Sequence, residues 1–300
     1  MTNNGGKMNS FIKDFLNKLN HRGYLKFLPD KIFLKLIFWV RTGKRLNLKN
    51  PHTYNEKLQW LKLYDRKDKY TTMVDKYEVK KYVSEIIGEK YVVPLLGVWD
   101  SVEDIEFDKL PEKFVLKATH NSGGIVICRN KTSLDIETVK NKLSTVLKKN
   151  YFFYLREWPY KNVKPRIIAE KLMENSKQKE NTNLNVYKIF CFDGKPEIIQ
   201  TIQNDKTPDE TIDYFDVSWN LLDLKQSFPN SKTPLGKPST LEEMLSLAAK
   251  LSKGVAFLRV DFYDVNEEIY FSEFTFYSDS GMANFYPENW NCRLGELINI

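Results

Sequence analysis

Residues 114 to 124 read Phe-Val-Leu-Lys-Ala-Thr-His-Asn-Ser-Gly-Gly, an apolar run that reaches a lysine and then a polar turn with two glycines. A second apolar run, residues 125–128, follows directly, so the pattern predicts a β-hairpin. Lys117 has two interpretations. It is a solvated surface charge, or it is a cation held beside a turn that takes up phosphate. The rest of the chain is needed to choose between them.

The remaining segments alternate between helices and strands. Helical spacing and caps predict helices at four places: after Thr53 or Asn55, between Asp75 and Gly88, over 133–149 and over 241–251. An Asp-Gly turn at 193–194 predicts a hairpin of strands 185–192 and 195–202. Further strands are predicted at 91–99, 166–173, 257–263 and 269–276. Antiparallel hairpins that alternate with helices predict the α+β class.

The net charge of +7 is concentrated at the N-terminus. Residues 1–50 hold eleven Lys or Arg and two acidic residues, whereas the other 250 hold 35 basic and 37 acidic ones. Apolar residues such as Phe15 and Trp39 are interspersed with these bases. Two interpretations stay open: basic helices that bind an anionic membrane surface, or a helical cap whose bases are simply solvated. No nucleic-acid partner is expected, since exposed aromatic residues cannot be identified.

Composition and missing motifs exclude several classes of protein. A chain of 300 residues, 42% hydrophobic and 28% charged, is typical of a soluble globular protein with a sizeable core. Its three widely spaced cysteines are predicted to be free thiols. P-loop and dinucleotide glycine patterns are missing, and the histidines lack metal-ligand spacing. No signal peptide is predicted, and the longest apolar run, 32–40, is too short to span a bilayer. A cytoplasmic protein is therefore expected.

Charged residues lie inside several predicted β segments, where an unpaired charge is costly to bury. They are Lys117, Glu170, Lys171, Lys188, Arg259, Asp261 and Glu273. With a period of two, Asp261 shares a face with Arg259, and Glu273 shares one with Thr275. If the last two strands pair as a hairpin, Asp261 and Glu273 converge, and two carboxylates with a hydroxyl suit Mg²⁺ carrying nucleotide phosphates. The alternative is that each is a solvent-facing strand residue or a member of an ion pair.

The order of these pieces resembles the ATP-grasp enzymes, and within them the TupA-like branch named for teichuronopeptide biosynthesis. The resemblance extends from about residue 50 to about residue 287. An ordered set of short motifs carries it: NPHTYNEKLQW at 50–60, DKY at 75–77, LPEKFVLK at 110–117, HNSGG at 120–124, REW at 156–158, IIAE at 167–170, YKIF at 187–190, FDGKP at 192–196, RVDFY at 259–263 and FSEFT at 271–275.

The resemblance implies a fold and a division of the chain. In the ATP-grasp fold, two α+β subdomains grip ATP between antiparallel sheets, here after a basic helical N-terminal region. The expected segments are a basic amphipathic helical region at 1–50, a helical region on the substrate side at 51–110, the small ATP-grasp subdomain at 111–175, and the large subdomain with the metal site at 176–300.

The resemblance also implies which residues bind the nucleotide. Lys117 would contact the phosphates, and Lys76 would lie in the nucleotide pocket. The flexible flap over the phosphates would consist of Ser122, Gly123 and Gly124. Glycines suit this role, because backbone N–H groups approach phosphates closely only where no Cβ intervenes. The hinge segment whose backbone reads the adenine edge would consist of Glu170, Lys171, Leu172 and Met173.

Metal binding and catalysis are implied for the last two strands. Asp261 and Glu273 would hold Mg²⁺, with Thr275 as the third ligand at the position where relatives usually carry an Asn. Arg259 would stabilise charge on an acyl phosphate, and Lys188 would assist it or bind the substrate carboxylate. His120 is assigned no role.

The reaction that the resemblance implies is ATP-dependent carboxylate–amine ligation. ATP phosphorylates a carboxylate, and an amine displaces the phosphate to leave an amide. The TupA-like branch is similar to enzymes of surface-polysaccharide and capsule assembly. The expected partners are therefore a small amine or amino acid and a glycan carboxylate such as that of a uronic acid. A lipid-linked glycan acceptor would also place the basic N-terminus at the inner face of the membrane.

Two other classes stay open. A glycosyltransferase of polysaccharide biosynthesis would use a nucleotide-sugar site with a DxD-type metal motif, and residues 213–216 do not match that spacing. A non-catalytic nucleotide- or membrane-binding module would leave Arg259, Asp261 and Glu273 free to vary without chemical consequence.

Overall fold

The computed structural model describes residues 10–175, 184–205 and 207–300. Helices dominate the first third of the chain, and strands dominate the rest. The α-helices of the described residues are α1 (Ser10–His21), α2 (Asp30–Thr42), α3 (Tyr54–Tyr64), α4 (Lys69–Val74), α5 (Glu78–Ile87), α6 (Ile136–Leu147), α7 (Phe152–Leu155), α8 (Leu241–Ser252) and α9 (Trp290–Glu296).

The strands form two antiparallel sheets, which confirms the predicted α+β class. They are β1 (Leu95–Trp99), β2 (Phe114–Ala118), β3 (Ile125–Cys128), β4 (Ile167–Lys171), β5 (Val186–Phe192), β6 (Lys195–Gln203), β7 (Thr211–Asp216), β8 (Phe257–Val265) and β9 (Glu268–Thr275). The four-stranded sheet has the order β1-β4-β2-β3, and the five-stranded sheet has the order β7-β6-β5-β8-β9. Strand β1, which confirms the strand predicted at 91–99, lies within the segment 51–110 and belongs to the four-stranded sheet.

The three predicted hairpins are present, as β2–β3, β5–β6 and β8–β9. The predicted helix start near residue 53 is also confirmed: the Thr53 hydroxyl accepts a hydrogen bond from the Glu56 N–H, and the Glu56 carboxylate accepts one from the Thr53 N–H. Strand β7 was not predicted, although its alternation of Ile212, Tyr214 and their polar neighbours fits a strand. The three cysteines are free thiols, as predicted.

Each sheet has its own hydrophobic core. Helix α6 covers the four-stranded sheet, with Leu143 packed among Phe114, Leu116 and Ala169. Helix α8 covers one face of the five-stranded sheet, where Ile189 lies in the large core. Since side chains alternate along a strand, the neighbours of these core residues point to the opposite face. That opposite face is turned toward the four-stranded sheet, and the polar residues of the strands lie on it.

The N-terminal helices are attached to the body by a buried arginine. Arg156 donates hydrogen bonds to the carbonyl oxygens of Leu25, Lys26 and Leu28 at 3.3, 2.9 and 3.1 Å. Its Nε lies 3.0 Å from Asp30, and its guanidinium lies 4.2 Å from the ring centre of Phe33. Helix α2 buries its apolar face in a third core with Leu155 and Met282. The helical-cap interpretation therefore holds for α2.

Part of the N-terminal region nevertheless presents apolar side chains to solvent. Phe27 is 83% exposed, Tyr24 64%, Ile32 56% and Phe15 52%. Within the described residues, no helix combines the length and the apolar character needed to cross a membrane. Residues 1–9 of the predicted basic region lie outside the described residues.

Candidate active site

The two sheets face each other across a cleft that begins with an apolar cavity of about 210 Å³. Val115 and Ile127 line it from the four-stranded sheet, and Val186, Ile202 and Tyr263 line it from the five-stranded sheet. The cavity is also lined by the predicted hinge residues Glu170, Lys171, Leu172 and Met173, and by Lys117 and Lys188. An apolar slot with a few charged groups at its rim is the usual form of a small-ligand site.

Lys117 is not a solvated surface charge. Its Nζ lies 2.6 Å from the Glu170 carboxylate, which also forms an ion pair with Lys80. Burial would raise the pKa of Glu170, but the two lysines outweigh it and hold that pKa below its ordinary value. Burial would lower the pKa of Lys117, but Glu170 and other negative groups raise it. The side chain of Glu170 thus fixes the position of Lys117 at the edge of the cleft.

The predicted carboxylate pair is brought together on the cleft face of β8 and β9. Asp261 and Glu273 are directly opposite each other, and Lys188 is opposite Asp261 on the other side. Arg259 and Thr275 form the next pair along the hairpin. Since directly opposite residues of an antiparallel pair share a face, all five side chains project into the cleft.

Arg259 and Asp261 form a bidentate ion pair within strand β8. Arg259 Nε donates to Asp261 Oδ1 at 2.8 Å, and the terminal nitrogen donates to Oδ2 at 2.7 Å. Both residues are buried, and the pKa of Asp261 is raised because burial outweighs its positive neighbours. Glu273 lies 3.6 Å from the guanidinium and keeps 43% of its side chain exposed.

Four positive side chains surround Glu273. Its partial burial would raise the pKa of Glu273, but Arg259, Lys76, Lys188 and Lys117 together hold that pKa below its ordinary value. For two of these lysines burial is the stronger influence: it outweighs the nearby carboxylates and lowers the pKa of Lys76 and of Lys188. Cations outnumber carboxylates here, so an anionic group such as a phosphate is attracted to this point.

The turn between β2 and β3 lies at the same end of the cleft. Lys76, in the turn between α4 and α5, donates a hydrogen bond to the Asn121 carbonyl. Ser122 and Gly123 are exposed at the tip, while Gly124 has φ +64° and a Cβ there would lie 2.8 Å from Val146 Cγ1. His120 is buried, and its Nε2 is 3.3 and 3.1 Å from the carbonyl oxygens of Val146 and Lys149. His120 therefore anchors the turn to the end of α6, a role the sequence did not indicate.

A second cavity, polar and about 450 Å³, opens beyond the carboxylates. Arg259, Glu273 and Thr275 form the wall next to the first cavity. The opposite wall contains residues that the sequence analysis did not assign: Arg41 from α2, and Tyr151, Glu157, Tyr160 and Ser280. Only Glu157 had a signal, because it lies in the motif at 156–158. The convergence of the others depends on contacts between segments far apart in the chain.

An apolar cavity between two antiparallel sheets, with cations and paired carboxylates at its end, is the arrangement expected for the ATP-grasp class. The family model described as TupA-like ATP-grasp matches residues 56–299. The chain therefore belongs to the TupA-like ATP-grasp family. This membership favours the ligase over the glycosyltransferase considered from the sequence.

The chain is similar to several solved structures at low sequence identity, and it spans about half the length of two of them. D-alanine–D-alanine ligase from Bacillus anthracis, complexed with ATP, is 18% identical with a TM-score of 0.39, covering 68% of this chain and 53% of that one. N5-carboxyaminoimidazole synthetase from Staphylococcus aureus is 13% identical with a TM-score of 0.39, and the match covers 68% of this chain and 44% of that one. A RimK domain ATP-grasp protein from Sphaerobacter thermophilus is 10% identical with a TM-score of 0.41, and the match covers 76% of this chain and 69% of that one. None of the curated proteins compared with the chain matches it.

The donor set fits the magnesium ion that the family implies. Mg²⁺ is usually held by one or two carboxylates together with phosphate oxygens and water. Asp261 and Glu273 supply two carboxylates on one face, and Thr275 supplies a hydroxyl. Within the described ranges, this site included, no three His, Cys, Asp or Glu side chains lie close enough to bind a metal. A site completed by nucleotide phosphates therefore suits these residues better than a cage made of protein alone.

Proposed function

We propose that this protein is an ATP-dependent carboxylate–amine ligase that forms an amide through an acyl phosphate. It attaches an amino acid or another small amine to a uronic-acid-containing surface glycan or its precursor. The observation that carries the proposal is the position of Asp261 and Glu273. Along β8, Asp261 lies between Tyr263 at the apolar cavity and Arg259 at the polar one, and Glu273, opposite Asp261, lies among four cations. A phosphoryl group held there lies between a nucleotide on one side and an acceptor on the other.

Each side chain of the site has a distinct part in this reaction. The segment from Glu170 to Met173 forms the rim of the apolar cavity, which holds the adenine of ATP. Lys117 and Lys76 bind the phosphates beneath the turn at 122–124. Asp261, Glu273 and Thr275 hold Mg²⁺, which neutralises phosphate charge when bound. Arg259 and Lys188 stabilise the negative charge that develops on the transferring group. Arg259 is buried and Lys188 is half-buried, and their shielding from water strengthens this interaction.

The proposed reaction is tested by following ADP and phosphate release from Mg²⁺-ATP. Purified protein is incubated with a panel of uronic acids and a mixture of amines and amino acids. Release is expected only when both a carboxylate and an amine are present, and the amide is identified by mass spectrometry. Release of a nucleoside diphosphate from a sugar donor without ATP would contradict the ligase and support a glycosyltransferase.

Changing Lys117 to methionine is expected to weaken ATP binding about ten- to a hundredfold, since a hydrogen bond to a charged group contributes about 1.5–3 kcal/mol. The dissociation constant is measured by displacement of a fluorescent ATP analogue. Lys80→Met is the matched control, because Lys80 also binds Glu170 but does not line the apolar cavity. Equal weakening in both variants would show that Lys117 acts only through Glu170.

We further propose that the exposed apolar surface of the N-terminal region rests on the inner face of an anionic membrane. Phe15, Tyr24, Phe27 and Ile32 form this surface, and Lys13, Lys18, Lys26 and Lys31 lie among them in the sequence. Apolar side chains flanked by lysines suit the headgroup region of anionic lipids. Such docking would bring the enzyme to a lipid-linked glycan acceptor.

Changing Phe27 to glutamate is expected to reduce sedimentation with anionic vesicles severalfold, because the charge opposes insertion into a negative surface. Vesicles of phosphatidylglycerol and neutral lipid are compared with purely neutral ones. Leu221→Glu is the control, since Leu221 is 52% exposed on another part of the protein. Unchanged binding of the Phe27 variant would contradict membrane docking through this surface.

A further inference from the structure

A lysine with no evident role in ATP binding lies behind the polar cavity. Lys62, on α3, is fully buried, and its Nζ donates to three oxygens: Leu155 O at 3.0 Å, Ser280 O at 2.9 Å and Ser280 Oγ at 3.0 Å. Three acceptors match the three N–H groups of an ammonium. Burial nevertheless lowers the pKa of Lys62 to about 7, although Glu157 opposes this. A buried charge of this kind needs a reason, because its desolvation is costly.

Ser280 connects the lysine to the cavity. Its hydroxyl accepts from Lys62 and donates to Glu157 Oε1 at 2.6 Å. The backbone around it is unusual, since Asp279, Ser280 and Gly281 all have positive φ, at 47°, 55° and 64°. Non-glycine residues adopt this conformation at an energetic cost and do so chiefly where surrounding contacts hold them. Gln59 provides such contacts by donating to the carbonyl oxygens of Ser280 and Gly281.

Glu157 ends this chain of hydrogen bonds at the cavity wall. It is 8% exposed, and within the part of the chain that the structure describes its Oε2 receives no hydrogen bond. Burial raises its pKa, while Lys62, Ser280 and Arg41 act in the opposite direction and Glu273 acts in the same one. The other ionisable groups lining the cavity are Tyr151, Tyr160, Tyr277, Asp279 and Arg259. One oxygen of Glu157 is therefore fixed, and the other is open toward the space beside the carboxylate pair.

Ligation requires a group of this kind. An aliphatic amine is an ammonium ion at neutral pH, and it attacks a carbonyl only after it has lost a proton. A carboxylate with a raised pKa, within reach of the reacting centre, is a suitable acceptor. We propose that Glu157 binds the ammonium group of the amine substrate in the polar cavity and takes up its proton, and that Ser280 and Lys62 position it. This inference rests on the proposed ligase function.

The step balances as follows in atoms and charge. The ammonium gives one proton to Glu157, and the nitrogen lone pair then forms a bond to the acyl carbon. The bond from that carbon to the phosphate oxygen breaks, and phosphate leaves with the electron pair. Of the two hydrogens left on nitrogen, one stays on the amide and one is carried away on the hydrogen phosphate ion. Glu157 afterwards releases its proton to water.

Hydroxylamine separates this proposal from the ligase function itself. It is uncharged at neutral pH and traps an acyl phosphate as a hydroxamate without needing a proton acceptor. The assay uses the full-length protein, Mg²⁺-ATP and the uronic-acid panel, and measures hydroxamate with hydroxylamine and amide with amino acids. In Glu157→Gln, the ratio of amide to hydroxamate is expected to fall about a hundredfold. Glu157→Asp should restore part of the ratio, and the exposed Glu85→Gln is the matched control.

A pH profile tests the positioning role of Ser280. The hydrogen bond from Ser280 lowers the pKa of Glu157. In Ser280→Ala that pKa rises, so the acidic limb of the amide-forming rate is expected to move to higher pH, while the hydroxamate profile does not move with it. An unshifted limb would contradict the positioning role.

The outcomes are distinguishable. If the wild-type protein forms no hydroxamate with any member of the panel, the ligase function fails, and this inference fails with it. If hydroxamate forms and Glu157→Gln keeps the wild-type ratio of amide to hydroxamate, only the proposal for Glu157 is overturned.

Discussion

Changing Glu273 to glutamine is expected to lower the rate of ATP-dependent amide formation about a hundredfold or more, the loss typical of one removed electrostatic contact to a transition state. Glutamine has the same shape but no charge, so the neighbouring lysines and Arg259 lose the anion at their centre. The neutral amide is also a poor ligand for Mg²⁺. The expected measurement is slow ADP release together with a higher Mg²⁺ concentration for half-maximal rate.

The control for this variant lies on the same strand. Glu268 is exposed at the start of β9, far along the strand from the carboxylate pair, and Glu268→Gln should behave as wild type. The fold of both variants is compared by thermal unfolding. A Glu273→Gln enzyme as active as the control would remove Glu273 from the metal site and leave Asp261 as its only carboxylate.

Changing Arg156 to methionine is expected to reduce the free energy of unfolding by about 3–5 kcal/mol, the loss found when one partner of a buried ionic network is removed. Arg156 is 1% exposed and binds three carbonyl groups of the segment between α1 and α2. Methionine fills much of the space but donates no hydrogen bonds. The three carbonyl oxygens are then left without this donor beneath α2.

The loss in free energy of unfolding of Arg156→Met is measured by urea denaturation. Arg22→Met, at an exposed position after α1, is the matched control and should change stability by less than about 1 kcal/mol. A small effect of Arg156→Met would mean that the N-terminal helices are held mainly by the apolar contacts of α2. Arg66 would remain as a partner of Asp30 in either variant, at 2.8 Å.

The approach of the two carboxylates could be predicted from the sequence, but their register could not. Alternation places Arg259 and Asp261 on one face of β8, whereas a regular hairpin would place Asp261 opposite Ser272. The pairing shifts by one residue between Asp261 and Phe262, and this shift places Asp261 opposite Glu273. The same rules give the hairpin at residues 114–128 and the lysine at its end. Their common property is that the interacting residues are joined by one short turn.

The polar cavity could not be predicted in this way. Arg41, Lys62, Glu157 and Ser280 come from four segments, and no spacing or periodicity relates them. The role of the Glu170 side chain could not be predicted from the sequence either. The sequence suggested its backbone as a nucleotide contact, whereas the structure gives its side chain a defined task in holding Lys117. The partner that completes this arrangement, Lys80, is on a helix whose surface lysines look alike in the sequence.

The ion pair between Lys117 and Glu170 has a thermodynamic consequence for ligand capture. A free lysine side chain loses about 1.5–2 kcal/mol of rotamer freedom when it is immobilised. Here the carboxylate restricts the ammonium in advance, so most of that entropy is lost during folding and little during binding. The lysine that ends the apolar run at 114–117 therefore meets its ligand already oriented, and the affinity it contributes should depend only weakly on side-chain ordering.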